Sequence, residues 1–415
     1  MRTLLVIGKV WPEPTASAAG SRILQLIEAF KNDDWKITLG CAAKRPEHHY
    51  PLSKLGVEEV EIELNNSSFD DFIERLNPNA VMFDRFMTEE QFGWRVAKFC
   101  PDAMRILDTE DLHCLRSARK KALDGNRTFS PTELLIEESA KRELASIYRC
   151  DLSLIISEVE INLLKTVFKV DHRLLHLVPF MVESITESEI ESHPSYEERD
   201  HFVTIGNFLH EPNWDSIKYL KTEIWPHIRA ELPKAEMHVY GSYSTEKNHQ
   251  LNDSKTGFLI KGFAESSSHV LSNARVCLAP LRYGAGLKGK LLEAMQFGTP
   301  SVTTSIGAES MHGNLPWPGS IQEDPEEIAK AAFELHSSED AWAKAQVKGV
   351  EIVNTQYSKK SHSTALILKV NDVYVSLESH RKANFIGSMM QYHLLRSTEF
   401  MSRWIEAKNT GKGEN

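Results

Sequence analysis

The sequence predicts an α/β protein with two Rossmann-like halves that face each other across a cleft. Apolar, strand-like runs alternate with amphipathic helical patterns through most of the 415 residues, and this alternation indicates parallel sheets with helices on both faces. The alternation stops once, in an acidic segment after Pro179, and then restarts. A chain of this length is also long for a single core, so two domains are expected, with a small-molecule site between them.

The first half opens on an apolar run, residues 3–8, that is typical of a strand buried on both faces. The loop over residues 9–20 is long for a strand-to-helix connection, and long loops of this kind tend to be functional. It ends in small residues, including Gly20, which would either let a ligand approach the backbone or serve close helix–sheet packing. The loop lacks GxGxxG spacing, so no nicotinamide dinucleotide site is expected. Further strands are predicted at 36–41, 57–64, 80–84, 104–108 and 152–156, and helices at 21–30, 91–99 and 132–148.

Two predicted strands of the first half end in polar clusters. Asp84 and Arg85 follow one strand, and DTEDLH, residues 108–113, follows another. Ligands bind at the carboxyl ends of parallel strands, so we expect a polar pocket with Asp111 or His113 hydrogen-bonded to substrate. His113 could instead be a structural cap or a core histidine. The carboxylates are spaced too tightly for one helix face, so a metal site is not expected.

The second half restarts the alternation after the acidic segment. Strands are predicted at 201–206, 236–240, 258–261, 275–280 and 300–304, and helices beginning near residues 213, 265, 288, 325 and 340. The expected division is a first domain over 1–180, a linker over 181–200, a second domain over 201–377, a C-terminal helix over 378–408 that packs back on the first domain, and a disordered tail over 409–415.

The last helix carries many apolar residues at helical spacing. This pattern predicts a core-packing face rather than a membrane or partner surface. The residues are Phe385, Ile386, Met389, Met390, Tyr392, Leu394, Leu395, Phe400, Met401, Trp404 and Ile405.

The most informative stretch, residues 279–304, reads APLRYGAGLKGKLLEAMQFGTPSVTT. An apolar strand leads into a loop with two glycines, then a helix that begins near Lys288 and ends at a glycine before the next strand. Such a loop presents backbone N–H groups and a positive helix end, which bind phosphate. Lys288 and Lys290 add positive charge there, and Glu293 could accept hydrogen bonds from two sugar hydroxyls. Alternatively, the glycines serve only a tight turn and the lysines are solvated.

Composition and charge bear on whether the protein binds nucleic acid or a membrane and on the state of its cysteines. A net charge of −10 argues against a general nucleic-acid binder. The one basic run, over 116–127, is read as solvated helix surface, with a peripheral contact to the inner face of a membrane as the alternative. The five cysteines are scattered and odd in number, which is typical of reduced thiols in a cytoplasmic protein. The sequence begins directly with a strand, and no signal peptide or transmembrane run is expected.

Several segments of the second half resemble a known family. They are IGNFLHEPNWDSIKYL at 205–220, MHVYG at 237–241, IKGF at 260–263 and ARVCLAPLRYGAGLKGKLLEAMQFGTPSVTTSIGAES at 274–310. Together, and in this order, they look like the C-terminal half of a retaining glycosyltransferase of the GT-B fold, family 4, also described as glycosyl transferases group 1. The DTEDLH and IISEVEINLL segments of the first half are similar to that family more loosely.

The resemblance implies a metal-independent hexosyl- or related transferase. It would take a UDP- or GDP-linked sugar in the second domain, with no cofactor, and a glycan or lipid-linked acceptor in the first. In the family's E-x7-E motif the second carboxylate holds the donor ribose, and Glu293 stands there. Ala285 stands in place of the first carboxylate, which binds hydroxyls of the transferred sugar in the family. Backbone groups of 285–287, or another residue, are therefore expected to bind these hydroxyls. The family's basic pair after the first strand of this domain is missing, and Lys288 and Lys290 are the natural replacements.

The expected function is sugar transfer in cell-surface glycan biosynthesis, with His113, Lys288 and Glu293 as catalytic residues. A non-catalytic nucleotide-sugar-binding or scaffolding subunit of a glycan assembly complex is the main alternative, and an epimerase or phosphorylase a third. The acceptor side is assigned to Asp84, Arg85 and Asp111. The donor side is assigned to Gly20, Gly206, Asn207, Arg282, Gly284, Ala285, Gly286, Leu287, Lys288, Lys290, Glu293 and Gly307.

Overall fold

The chain folds around two parallel sheets. The computed structural model describes residues 2–46 and 49–410, without the side chains of 393–396 and 410. The first sheet has seven strands in the order β3-β2-β1-β4-β5-β6-β7, and the second has six in the order β10-β9-β8-β11-β12-β13. The strands are β1 Thr3–Gly8, β2 Lys36–Cys41, β3 Glu58–Glu61, β4 Ala80–Asp84, β5 Met104–Asp108, β6 Leu152–Ile155, β7 Leu175–Leu177, β8 His201–Ile205, β9 Met237–Tyr240, β10 Phe258–Gly262, β11 Ala274–Ala279, β12 Ser301–Thr303 and β13 Gly319–Ile321.

Helices connect the strands and cover both sheets, as parallel pairing requires. Those of the first half are α1 Ala18–Lys31, α2 Ser68–Leu76, α3 Phe86–Phe99, α4 His113–Asp124, α5 Glu138–Arg149 and α6 Glu158–Thr166, and α7 Glu187–Ser192 lies in the segment that connects the two halves. Those of the second half are α8 Glu211–Tyr219, α9 Trp225–Glu231, α10 Glu246–His249, α11 Ser267–Ser272, α12 Gly289–Gln296, α13 Ser305–Ala308, α14 Pro325–Ser337 and α15 Glu339–Gln356. Three further helices close the chain: α16 Lys359–Val375, α17 Leu377–Ala383 and α18 Phe385–Thr410.

Each sheet has its core on both faces, because its central strands are buried on both sides. All five residues of β4 and of β5 are buried, as are five of the six in β11. This accounts for the continuous apolar runs from which these strands were predicted. The bounds of β1, β2, β4 and β5 agree with the prediction residue for residue.

The predicted helix over 132–148 is interrupted. A 3-10 turn, Pro131–Ile136, precedes α5, and Glu137 between them is extended. The buried Glu137 carboxylate accepts hydrogen bonds from Lys121 Nζ at 2.7 Å and from Ser117 Oγ at 3.3 Å, both on α4. Because this pairing draws the carboxylate toward α4, the backbone leaves the helical conformation at this residue.

α16 returns to the first half. Its residues Leu366, Val370 and Val373 are buried in the same cluster as β1 and α1. Their spacing puts them on one helical face. The predicted division placed residues 359–377 with the second domain, whereas the buried face of α16 completes the core beside the first sheet.

α18 also crosses to the first half, where it lies against α3 and α5. Among the described side chains, Gln391 Nε2 donates to Arg149 O at 3.0 Å, Ser402 Oγ accepts from Arg95 Nη2 at 3.2 Å, and Gly387 packs on the Tyr148 carbonyl. The predicted core-packing face is therefore wrong for seven of its residues, which are exposed: Phe385, Ile386, Met389, Tyr392, Phe400, Met401 and Trp404. Met390 and Ile405 are half-buried, and the side chains of Leu394 and Leu395 lie outside the described residues. Of the predicted disordered tail, residues 409–410 end α18, and 411–415 lie outside the described residues.

Candidate functional site

The carboxyl ends of the two sheets meet at a cleft between the halves. The loop after β1 reaches the second half, where Ser242 Oγ donates to Ala16 O at 3.0 Å. Gly289, the first residue of α12, packs on Ala18: a Cβ at Gly289 would lie 2.6 Å from the Ala18 Cβ. Both loops therefore lie where a ligand between the sheets would contact them.

The glycine-rich loop between β11 and α12 forms the second-half wall of this cleft. Gly286 has φ +63°, a left-handed conformation that favours glycine. A Cβ there would come within 2.9 Å of the Asp111 Cβ, which belongs to the first half. Glycine at 286 is thus required twice over, by its backbone angle and by the close approach of Asp111.

Two side chains from the first half hold this loop by its backbone. Glu160 Oε1, fully buried on α6, accepts from Gly286 N at 3.1 Å and from Leu112 N at 2.8 Å. Arg119 Nη1, on α4, donates to Gly284 O at 2.8 Å and also pairs with Glu309. The loop is therefore fixed on either side of Ala285. Burial raises the pKa of Glu160 to about 7.

The two lysines of the loop and helix point inward. Lys288 is 8% exposed, and its Nζ donates to Gly286 O at 2.7 Å. Lys290 Nζ donates to Asn213 Oδ1 at 2.9 Å, beside Gly206. Burial lowers the pKa of each lysine to about 8. The alternative in which both are solvated surface charges does not fit Lys288.

Glu293 lies on α12, half-buried and hydrogen-bonded to Ser267. Burial raises the pKa of its carboxyl to about 7, against the opposing effect of Lys290. Lys290 and Glu293 therefore lie close enough to interact, whereas the charged groups that act on Lys288 are Glu309, Arg119, Glu160 and Asp111.

Across the cleft, His113 begins α4. Its ring meets Phe86 edge-on at 5.4 Å, and its Nε2 lies 3.7 Å from Asp111 Oδ1. Burial lowers the pKa of His113 to about 4, so its imidazole is neutral near pH 7. Its backbone N–H donates to the buried Glu143 carboxylate at 2.7 Å. His113 is thus part of the helix start and also presents a neutral ring near the cleft.

Asp111 stays ionised in this setting. Burial acts to raise its pKa, but Arg116 and His113 outweigh that effect and lower it to about 2. Asp111 is paired with Arg116. The other residues predicted for the acceptor side are nearby: Asp84 is buried and its Oδ2 accepts from Lys9 N at 2.9 Å.

Arg85 lies next to Asp84 and contributes a second charge to the same edge of the first sheet. Its Nε lies 3.6 Å from Asp84 Oδ1, and its backbone has φ +70°. Glu110, a member of the predicted polar cluster that was given no role, is buried with φ +57°, and burial together with Asp108 raises its pKa to about 8. Acids and arginines therefore alternate along this wall of the cleft.

Comparison with known sequences gives one match. Residues 199–338 match the family model described as Glycosyl transferases group 1. These residues run from the strand that opens the second half to the end of α14, and they include the glycine-rich loop. No curated protein shows significant sequence similarity to the chain.

Solved structures share the architecture over nearly the whole chain. Sucrose-phosphate synthase from Thermosynechococcus elongatus gives a TM-score of 0.67 at 14% identity, covering 91% of this chain and 100% of that one. A TarM mutant from S. aureus, in complex with fondaparinux, α-GlcNAc-glycerol and UDP, gives 0.67 at 10% identity over 90% and 100%. HepE from Anabaena, in complex with UDP and glucose, gives 0.64 at 11% identity over 89% and 100%. The fold is GT-B.

The GT-B architecture was predicted from the sequence and is confirmed, including its C-terminal helical segment. Within the GT-B cleft the structure gathers most of the predicted donor residues. Gly206 and Asn207 directly follow β8, the first strand of the second half, and Asn213 Nδ2 donates to Asn207 O at 3.1 Å. Leu287 is buried with Ile156 and Phe180 of the first half.

Three of the predicted donor residues make close contacts within the protein: Gly20, Gly307 and Arg282. A Cβ at Gly20 would lie 2.5 Å from the Glu13 backbone, and one at Gly307 would lie 1.9 Å from Thr303 Oγ1, so both glycines serve close packing. Arg282 is part-exposed and pairs with Asp215 while covering the Tyr219 ring at 4.8 Å. Its guanidinium is therefore engaged by α8 of its own domain.

The basic run over 116–127 is neutralised within the GT-B chain, because its cations pair with acidic side chains. The pairs are Arg116–Asp111, Arg119–Glu309, Lys120–Asp124, Lys121–Glu137 and Arg127–Glu133.

The described residues contain no group of three or more His, Cys, Asp or Glu side chains arranged to hold a metal ion. Within the same part of the chain, no helix combines the length and apolar character needed to cross a bilayer.

Proposed function

We propose that this chain is a retaining glycosyltransferase that moves a sugar from a UDP- or GDP-linked donor to an acceptor hydroxyl in cell-surface glycan biosynthesis. One observation carries the proposal. Lys288 lies at the end of a glycine-rich loop, and Lys290 and Glu293 follow it on α12. The same loop approaches Asp111, which lies beside His113, across the cleft. A diphosphate, a ribose and a transferred sugar each find matching chemistry there.

The charges suit departure of a nucleoside diphosphate. Negative charge accumulates on the leaving phosphates in the transition state, and groups already in place stabilise it without reorganisation. Lys288, Lys290 and the N-terminal N–H groups of α12 supply positive charge there. The two buried ammonium groups do the work that a metal ion does in other transferases, so the proposed reaction is metal-independent.

The remaining site residues hold the donor and the acceptor. The Glu293 carboxylate accepts from the ribose hydroxyls, and neutral His113 hydrogen-bonds the transferred sugar. Asp84, Arg85 and Asp111 bind the acceptor, a glycan or a lipid-linked sugar. Attack occurs from the face of the departing phosphate, which takes up the acceptor proton. Support comes from the matched family over 199–338 and from neighbours solved with UDP.

The test is a donor-binding screen by titration calorimetry, followed by a transfer assay with the donor that binds. UDP, GDP, ADP and their common sugar conjugates are compared on the wild type, on Glu293→Ala and on Glu351→Ala, an exposed carboxylate of α15. We expect one nucleotide to bind, with at least about tenfold loss in Glu293→Ala, the cost of one charge-assisted hydrogen bond, and no loss in Glu351→Ala.

Two outcomes would count against the proposal. If no nucleotide binds, the donor site is wrongly assigned. If a donor binds but is neither transferred nor hydrolysed, the protein is a nucleotide-sugar-binding subunit rather than an enzyme.

A further inference from the structure

Arg119 spans the cleft and holds Glu309 of the second half. Arg119 lies on α4 and is 9% exposed. Its Nη1 donates to Glu309 Oε2 at 2.8 Å, and its Nη2 donates to Glu309 Oε1 at 2.5 Å. Its Nη1 also donates to Gly284 O at 2.8 Å, in the glycine-rich loop. Burying two charges costs free energy that their attraction does not always return, so stability alone does not account for this pair.

Lys288 lies beside the same part of the loop. Its Cε is 3.9 Å from the position that a Cβ of Gly284 would take. Its backbone N–H donates to Met311 Sδ at 3.3 Å, two residues after Glu309. Its ammonium donates to a carbonyl of the loop and forms no ion pair with the described residues. Of the charged groups that act on Lys288, Glu309 has the largest effect, and Arg119 follows with the opposite sign.

Two cations therefore compete for the Glu309 carboxylate, and Arg119 binds both of its oxygens. The planar guanidinium matches a carboxylate with two parallel hydrogen bonds, which an ammonium cannot do. If Glu309 bound Lys288 instead, the ammonium would be neutralised before any ligand arrived. A diphosphate would then have to displace the carboxylate.

Two further carboxylates act on Lys288, and each has partners of its own. Glu160 accepts hydrogen bonds from two backbone N–H groups, and Asp111 pairs with an arginine. Both act on Lys288 less strongly than Glu309 does. Glu309 is therefore the acid whose position matters most for the charge of Lys288.

We propose that Arg119 is a positioning residue of the donor site: by binding Glu309, it keeps the Lys288 ammonium free for the diphosphate of the donor. This inference rests on the proposed function, because it requires a nucleoside diphosphate to bind at Lys288. Arg119 acts through Glu309 and does not itself need to touch the ligand.

The test is titration calorimetry with UDP and GDP at pH 7 on the wild type, Arg119→Gln, Glu309→Gln and the double variant. Arg119→Gln should bind at least about tenfold more weakly, because the freed Glu309 pairs with Lys288. Glu309→Gln keeps the contact of Arg119 with the loop and should stay within about threefold of the wild type, as should the double variant. Arg127→Gln is the matched control, because Arg127 pairs with Glu133 in the same basic run, and its affinity should be unchanged.

The pH dependence of binding distinguishes this role from a merely structural one. Affinity should fall as pH rises through the Lys288 pKa of about 8, because the diphosphate binds the ammonium. Arg119→Gln removes a cation and frees an anion, so the midpoint should move up. Glu309→Gln removes the anion and leaves Arg119 unpaired, so the midpoint should move down, each by at least about 0.5 pH. Neither residue acts on Lys290, so its titration should not change.

The outcomes separate this inference from the proposed function. If neither nucleotide binds the wild type, both are wrong. If a nucleotide binds the wild type and Arg119→Gln equally well, only the inference is wrong. Equal losses in both single variants, without recovery in the double variant, would mean that the pair only braces the two halves. Thermal unfolding checks that each variant is folded, and if Arg119→Gln is not, the downward midpoint required of Glu309→Gln still decides.

Discussion

Among single residues, Lys288 has the most distinctive setting. Its ammonium is buried, donates to the carbonyl of Gly286 in its own loop, and has a pKa lowered by burial to about 8. A buried cation without a fully committed anionic partner is costly. A diphosphate bound in the cleft would supply that partner, so the cost is recovered on binding.

This setting gives a pH dependence with a definite sign. The diphosphate binds the protonated ammonium, so affinity should be full below the pKa and fall as pH rises through about 8. Lys288→Arg keeps its charge at high pH and should show about half the dependence, because Lys290 titrates over the same range. Calorimetry with UDP across this range measures the effect. Wild-type affinity that does not change with pH would exclude both lysines from the diphosphate site.

The sequence could predict those site residues that lie close to one another along the chain. Lys288, Lys290 and Glu293 share one motif, so a local pattern revealed them. Glu160 and Arg119 act on the same loop, but they lie 126 and 165 positions from the atoms they bind. Their residue types and neighbours carry no local signal of that contact, because folding alone brings them together.

Among the elements, the start of α4 is held by two buried carboxylates. Glu143 accepts from the N–H groups of His113 and Cys114, and Glu160 accepts from that of Leu112. Burial raises the pKa of each to about 7. The two differ in one respect, since only Glu160 also reaches Gly286 in the second half.

Variants of Glu143 and Glu160 distinguish a loss of stability from a loss of site geometry. Glu143→Ala and Glu160→Ala each leave buried N–H groups unpaired and should lower the free energy of unfolding by about 1–3 kcal/mol. Only Glu160→Ala should also weaken binding of the nucleoside diphosphate, because it frees the glycine-rich loop, whereas Glu143→Ala frees only the start of α4 with His113. Glu160→Gln should restore both, since one amide oxygen can accept the two N–H groups. Thermal unfolding and calorimetry give the comparison, and equal loss of donor binding in both alanine variants would refute a specific role for Glu160.

The same two carboxyls set a stability trend with pH. Their folded pKa of about 7 lies above the ordinary glutamate value of 4.5, so the folded state holds more protons between these values. Stability from this source is therefore greatest at low pH and declines as pH rises toward 7.

Elements were predictable where their pattern was long or their burial complete. β1 and β4 are continuous apolar runs and were located from the sequence. β7 and β13 are three-residue strands at sheet edges, too short to show a period, and were not predicted. For α18, the helical spacing of the apolar residues predicts the helix correctly. It does not predict which of these residues face the first half and which face solvent.

For the whole molecule, the C-terminal helices matter as much as the two sheets. Val370, fully buried on α16, belongs to the core beside the first sheet, although it follows the second domain in sequence. Val370→Ala should therefore lower stability by about 1–3 kcal/mol, the cost of lost apolar burial and a small cavity. Val375→Ala on the same helix, where the side chain is 82% exposed, should have little effect. Denaturant unfolding followed by tryptophan fluorescence measures both, and equal effects would mean that α16 is not part of that core.

The return of the chain through α16 has a mechanical consequence. The backbone crosses between the halves at two places, and these crossings are joined: Val182 N donates to Tyr357 O, and Lys359 N donates to Val182 O, each at 2.9 Å. A single tether would let one half swivel freely about the other. Two connections that are hydrogen-bonded side by side restrict the rotation between the halves to one axis and resist twisting. This double connection therefore helps to keep Lys288 and His113 aligned across the cleft.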